Sequence, residues 1–316
     1  MCAAEPIRAP GGPRRRPLIT LLTDFGSRDA YAGAMKGVIS GILPEALVID
    51  ICHEIPPRDI RRAGIVWAQA APYFPRGAVH VAVVDPGVGG RRRILAFEAR
   101  GSVFLAPDNG LIGYVLRRRE VRRVVEVKHA RHFLERVSST FHGRDIFAPV
   151  AARLAGGLPL EDLGPGTRSF EAEGLPRPRL RRKTGAGGAW LEARGEVIHV
   201  DSFGNALTNL EPERNLVLSR LEVRGLCIER LSTTYQDVAP GEPLVYEGSA
   251  GFLEVAVRDR SASRDLGLEP GEPITAIWSD RKSSRKPGRR PRDSVLTPPC
   301  RRGGRGRRAP GRPGPR

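Results

Sequence analysis

At 316 residues the chain exceeds what a single core usually holds, which points to two domains. Its formal charge of +17 suggests a polyanion binder until the charge is located. Residues 281–316 carry fourteen Lys/Arg against one acid and residues 1–17 carry four against one, so residues 18–280 keep a net charge of only +1. The core is therefore nearly neutral, and the basicity belongs to two Pro/Gly/Arg-rich tails expected to be disordered. Weak nucleic-acid contact by the C-terminal tail stands open beside the reading of solvated ends without a role. Cys2, Cys52, Cys227 and Cys300 form no CxxC pair, which argues against a disulfide framework or zinc site and suits a reducing compartment. With no apolar run of signal-peptide length before Leu18 and no stretch of about 18 apolar residues, a cytoplasmic protein is expected.

In chain order, residues 18–175 alternate short apolar runs with helical patterns. Strands are expected at Leu18–Leu22, Ala46–Asp50, Ala78–Val84, Ile94–Glu98, Val103–Ala106 and Val124–Val127. Helices are expected at Tyr31–Leu43, at Asp59–Tyr73 with Asp59 as cap, and at Asp145–Leu154. This alternation predicts an α/β domain with a mostly parallel sheet. A Pro/Arg/Gly-rich stretch, residues 176–188, reads as a linker. Over residues 189–280 the pattern changes to short alternating strands, at Glu196–Val200, Leu221–Ile228, Pro243–Tyr246, Phe252–Val257 and Pro273–Trp278. That predicts a smaller all-β, barrel-like domain.

Polar clusters interrupt these strands at loop positions. Thr23-Asp24-Phe25-Gly26 follows the first strand, with Asp29 just beyond; Asp24 reads either as a ribose ligand, since a carboxylate accepts from two hydroxyls, or as a helix cap. Asp85-Pro86-Gly87 ends the Ala78–Val84 strand abruptly and puts a carboxylate at a strand's carboxyl end, where open α/β sheets place ligands. Arg92 follows seven residues on; a plain turn with solvated arginines is the other reading. Pro107-Asp108-Asn109-Gly110 reads as a turn. His142, in Thr140–Asp145, suits a general base or a structural helix start. In the β domain, Asp201-Ser202-Phe203-Gly204-Asn205 reads as an Asx turn or as a base site, with Phe203 stacking and the Asn205 amide reading an adenine edge. Gly248-Ser249-Ala250-Gly251 supplies small residues where backbone could approach a ligand.

The order and spacing of these pieces resemble one family. TDFG with a following KGVI, IDICHEIPP, VVDPGVG, APDNGL, TFHGRDIFAP and VDSFGNALTN together resemble the S-adenosyl-L-methionine hydroxide adenosyltransferases, relatives of the fluorinases and chlorinases. The likeness spans roughly residues 18–278. It implies a homotrimer, with ligand held between one subunit's first domain and its neighbour's second. It also implies hydrolysis of S-adenosyl-L-methionine to adenosine and L-methionine by attack of water or hydroxide at C5′, without a cofactor or metal. By the same resemblance Asp24 holds the ribose hydroxyls, Phe203 and Asn205 hold adenine, and the strand around Glu254 and Val257 closes over the base. Asp29, Asp201 and Ser249 face the methionine part, and the catalytic set falls on Asp85, Arg92 and His142.

Departures from the halogenases favour water. The fluorinase's Tyr-Ser halide pair is His142-Gly143 here, and its long insertion between the strands matching Ile94–Glu98 and Val103–Ala106 is absent. Asp85 sets a negative charge where a halide would arrive. Arg58 and Ala250 replace the fluorinase's Trp and Arg, which bears on how the methionine carboxylate is held. A chlorinase-like halogenase and an adenosine sensor without turnover are the competing readings.

Overall fold

The computed structural model describes residues 16–116, 120–172, 174–185 and 188–280. Both basic tails lie outside the described residues except for Arg16 and Pro17, as does the nucleic-acid contact expected of the C-terminal one. The chain separates into two compact units, Met1–Gly174 and Leu175–Arg316.

In the first unit, a six-stranded sheet has the order β2-β1-β3-β5-β4-β6. Its strands are β1 (Leu18–Thr23), β2 (Leu47–Cys52), β3 (Val79–Val83), β4 (Ile94–Ala99), β5 (Ser102–Pro107) and β6 (Val121–Glu126). β2, β1, β3 and β5 run parallel, while β4 is antiparallel to both β5 and β6, so the sheet is mostly parallel as expected. Alternation along β1 and β3 sends Ile19, Leu21, Val79, Val81 and Val83 into one core with Met35 and Ile39 of α1 (Tyr31–Ile42) and Val150 and Leu154 of α4 (Ala148–Ala155). Leu22, Ala82 and Val84 enter the opposite core with Trp67 of α2 (Ile60–Ala70) and Ile112 of α3 (Ile112–Val115). Helices thus cover both faces, which forces the polar loops to the sheet's ends. Asp59 caps α2 by accepting from the Arg62 N–H at 2.9 Å. The helix expected from Asp145 begins as a π-turn over Gly143–Phe147 before α4.

In the second unit, nine strands form a nearly closed, barrel-like sheet of order β11-β10-β15-β8-β9-β14-β13-β12, with β7 paired to β8. The strands are β7 (Arg179–Gly185), β8 (Gly188–Val200), β9 (Ala206–Thr208), β10 (Val217–Val223), β11 (Leu226–Ile228), β12 (Leu231–Ser232), β13 (Pro243–Glu247), β14 (Leu253–Val257) and β15 (Pro273–Ser279). A short helix, α5 (Ala262–Leu266), follows β14. β8 serves three neighbours: its first half pairs with β7, residues Trp190 to Glu196 pair with β15, and residues from Val197 onward pair with β9 across a register shift between Val197 and His199.

Two expectations are corrected. Much of the expected linker, residues 176–188, is strand β7, zipped to β8 from Arg179↔Arg194 to Gly185↔Gly188. Its Arg-rich sequence and its exposed Leu180 give no apolar face to read, but ladder hydrogen bonds need none. Leu221–Ile228 is a hairpin and not one strand, because Arg224 and Gly225 both take positive φ (47° and 77°) and turn the chain. No helix among the described residues is long and apolar enough to cross a membrane.

Candidate active site

Asp24 and Asp85 sit one and two residues past the carboxyl ends of the adjacent parallel strands β1 and β3. The Asp85–Arg92 loop is shaped by glycine. Gly89 has φ +75°, and a Cβ there would lie 2.3 Å from the Ser139 carbonyl oxygen, so only glycine lets this loop rest on the 138–142 segment. That contact brings Arg92 to His142 across fifty residues of sequence.

Arg92 Nε and Nη2 both donate to Asp85 Oδ2, at 2.8 and 2.5 Å. Nη2 also lies 2.7 Å from His142 Nδ1. A guanidinium carries only donors, so His142 Nδ1 accepts and the imidazole is the neutral tautomer with its proton on Nε2. Burial, and next the Arg92 charge, push the His142 pKa below its ordinary value. The Asp85 and Arg92 side chains are only 4% and 12% exposed. Asp85 Oδ1 is buried with no hydrogen-bond partner among the described residues, an acceptor held free beside its fully engaged twin.

The 138–142 segment is tied down by Asp145, a fully buried carboxylate at the end of the Thr140–Asp145 cluster. Asp145 Oδ2 accepts from the Ser138 N–H at 2.8 Å, and Arg144 Nε donates to Oδ1 at 2.6 Å. Burial works against its ionisation, but these partners outweigh it and hold the carboxyl below the usual range. Asn109 supports the neighbouring strand end by donating from Nδ2 to the Val84 carbonyl at 2.9 Å, so the expected Asn-Gly turn also braces Asp85.

Asp24 is not a helix cap: α1 starts after Ala30 with no side-chain cap. Instead Asp24 Oδ2 accepts from the Arg58 N–H at 2.9 Å, with Arg58 held at φ 68°. Burial, with a smaller contribution from the Asp85 charge, raises the Asp24 pKa. The loop around it is pinned through His53, a residue of the IDICHEIPP motif to which the sequence alone assigns no role. His53 Nδ1 lies 2.8 Å from Thr23 Oγ1, Thr23 Oγ1 accepts from the Phe25 N–H at 3.2 Å, and the Gly26 N–H donates to the His53 carbonyl at 2.7 Å. The far side of the ring faces Asp50 Oδ1 at 3.1 Å, and Lys36 Nζ binds Asp50 Oδ2 at 2.5 Å. Asp29 is exposed and makes no part of this cluster.

In the second unit, Asp201 does form the Asx turn. Its Oδ1 accepts from the N–H groups of Phe203 and Asn205 at 2.9 and 2.8 Å, leaving Phe203 78% exposed at the tip. Asp201 Oδ2 accepts from Asn205 Nδ2 at 3.0 Å. Tyr235 and Tyr246, neither of which the sequence marks as a site residue, continue this chain to Glu254. Ser249 is exposed on the loop before β14. Val257, expected beside the base, is 3% exposed and its side chain belongs to the barrel core: the β14 alternation that turns Glu254 outward turns Val255 and Val257 inward. A cavity of about 530 Å³ near β11 and β13, lined by Ile228, Arg230, Ser232 and Leu244 among others, includes none of the predicted site residues.

An α/β unit with a charged, half-buried cluster at its sheet's carboxyl edge, joined in sequence to a barrel-like unit bearing an amide–carboxylate cluster, defines the class. Residues 19–164 match the SAM hydroxide adenosyltransferase N-terminal domain and residues 195–275 the SAM hydroxide adenosyltransferase C-terminal domain. An (R)-S-adenosyl-L-methionine hydrolase from Salinispora tropica is 43% identical over 261 residues, 81% of this chain and 96% of that protein. An uncharacterized conserved protein from Thermotoga maritima superposes with a TM-score of 0.73 at 37% identity, covering 82% of this chain and 99% of that one. A fluorinase from Nocardia brasiliensis is more distant, at 26% identity over 81% of this chain and 95% of its own length. The chain belongs to the SAM hydroxide adenosyltransferase family.

Proposed function

We propose that the protein hydrolyses S-adenosyl-L-methionine to adenosine and L-methionine, with Asp85, Arg92 and His142 presenting the water. The single observation that carries the assignment of roles is the free, buried Oδ1 of Asp85 beside an Oδ2 saturated by Arg92. Water forms a bond to C5′, the C5′–S bond breaks, and its electron pair neutralises the sulfonium as methionine leaves. The proton of the attacking water passes to Asp85 or onward to solvent. The leaving group is already cationic, so no acid is needed. What remains is to hold a strongly hydrated nucleophile in line with the C–S bond. Asp85 Oδ1 accepts one hydrogen bond from the water, and neutral His142 completes the polar wall beside it. Such positioning can supply up to ~7–11 kcal/mol of barrier lowering. A halide in place of the water would meet the carboxylate as a like charge in a poorly screened site. Asp24 takes the ribose hydroxyls, Asn205 and Phe203 the base, and Asp201, Asp29 and Ser249 the methionine side. The test is chromatography of the products: adenosine and methionine in equal amounts support the reading, and binding without turnover supports the sensor.

Homotrimeric assembly and a cytoplasmic location complete this reading, supported by the family resemblance; light scattering of the purified protein checks the trimer.

The acid limb assigned to His142 is expected below about pH 6.5. Its pKa is depressed in the folded state, so between that value and 6.5 the unfolded chain binds a proton that the folded chain does not. Stability is therefore lost as pH falls through this window, and the Nδ1 acceptor is lost once pH falls below the depressed value. A kcat/KM profile for wild type and His142→Asn checks this; a His142-dependent limb at or above 6.5 contradicts it.

Thr23→Val should raise KM for S-adenosyl-L-methionine by about tenfold with a smaller effect on kcat, because it unpins the Asp24 loop and so weakens binding shared by ground and transition states. Thr23→Ser keeps the hydroxyl and should restore KM. Equal KM values for the Val and Ser variants would show that the hydroxyl does not position Asp24.

A further inference from the structure

One polar chain in the barrel-like unit ends in a carboxylate on each side. Asn205 Nδ2 donates to Asp201 Oδ2 at 3.0 Å and to Tyr235 Oη at 3.1 Å. Tyr235 Oη lies 2.7 Å from Tyr246 Oη, and Tyr246 donates to Glu254 Oε2 at 2.5 Å. Tyr246 and Glu254 face each other across the β13–β14 ladder. The direction of every bond follows from the ends. Asp201 Oδ2 only accepts, so the atom facing it must be the amide nitrogen of Asn205 and not its oxygen. Glu254 accepts at the other end, so Tyr246 spends its proton there and takes the Tyr235 proton. Tyr235 Oη is then left with lone pairs for the second amide hydrogen of Asn205. Glu254 is seated for this by Gly248, where a Cβ would lie 1.9 Å from Glu254 Oε1. Gly248 thus makes room for the Glu254 carboxylate. Burial raises the Tyr246 pKa, which keeps the phenol proton in place as donor.

Both amide hydrogens of Asn205 are therefore committed, and its Oδ1 is the group left to meet a ligand. We propose that Tyr235, Tyr246 and Glu254 are positioning residues that lock the Asn205 amide with its oxygen toward the base, so that the subsite selects a 6-aminopurine over a 6-oxopurine. This rests on the reading that Asn205 meets the base. An exocyclic amino group donates to Oδ1; a 6-oxo group would set acceptor against acceptor and leave both unsatisfied.

Calorimetry of adenosine and inosine with the full-length protein tests it, alongside Tyr235→Phe, Tyr246→Phe and Asn205→Ala, each checked for folding by its melting curve. The wild type should bind inosine at least about tenfold more weakly than adenosine. In Tyr235→Phe one amide hydrogen is released to meet a 6-oxo group, and the adenosine/inosine ratio should fall at least about threefold. Tyr246→Phe, at a half-buried residue, should fall in the same direction and serves if Tyr235→Phe does not fold. Equal affinities for the two nucleosides in the wild type, or a ratio unchanged in both tyrosine variants, would overturn the relay. Adenosine affinity unmoved by Asn205→Ala would instead overturn the placement of the base on Asn205, and the relay with it.

Discussion

Asp85→Asn is expected to lower kcat for S-adenosyl-L-methionine hydrolysis by about 10²–10⁴-fold while KM moves by less than about threefold. The substitution preserves shape but replaces two accepting oxygens with an amide whose single oxygen cannot serve both the Arg92 donors and the water. The water then loses the hydrogen bond that aims its lone pair, while the remaining contacts to substrate are untouched. An effect confined to kcat is the mark of a group that acts on the nucleophile and not on the bound substrate. Asp85→Ala should fall at least as far, because it leaves space in which the water is no longer held. Product chromatography across a range of substrate concentrations separates the two constants. A kcat within about threefold of wild type in Asp85→Asn would remove Asp85 from the mechanism.

Arg92→Met is expected to destabilise the α/β unit by roughly 3–5 kcal/mol and to abolish measurable turnover. Asp85 is 4% exposed and its Oδ2 has Arg92 Nε and Nη2 as hydrogen-bond partners, so removing the guanidinium strands a desolvated negative charge. It also releases His142 Nδ1. The double variant Asp85→Asn/Arg92→Met removes the charge along with its partner and should recover most of the lost stability without any recovery of activity. Arg92→Lys keeps a positive charge but not the fork that reaches Asp85 and His142 together, so it should sit between the single variants in stability and near Arg92→Met in kcat. Thermal or denaturant melts of the four proteins give the coupling. A double variant no more stable than Arg92→Met would show that the pair is not energetically linked.

Much of this was legible in the chain itself. Apolar periodicity marked all six strands of the α/β unit, and abrupt Asp-Pro-Gly and Thr-Asp-Phe-Gly endings placed Asp85 and Asp24 at strand ends. Strand β7 stayed hidden because its arginines carry no burial pattern, and the Arg224-Gly225 turn because apolar residues close on either side let Leu221–Ile228 pass as one strand. The family resemblance sets Val257 beside the base, whereas strand parity commits its side chain to the core.

Sequence alone determined the family, since six motifs in fixed order are far more specific than any one of them, and it determined which residue types are available for chemistry. Tertiary structure decided what those groups can do. The free oxygen of Asp85, the accepting nitrogen of His142, the support from His53 and Asp145, and the committed amide of Asn205 are all consequences of which donor faces which acceptor. Hydrogen-bond direction depends on partners thirty or fifty residues away in the chain, and local periodicity carries no information about them.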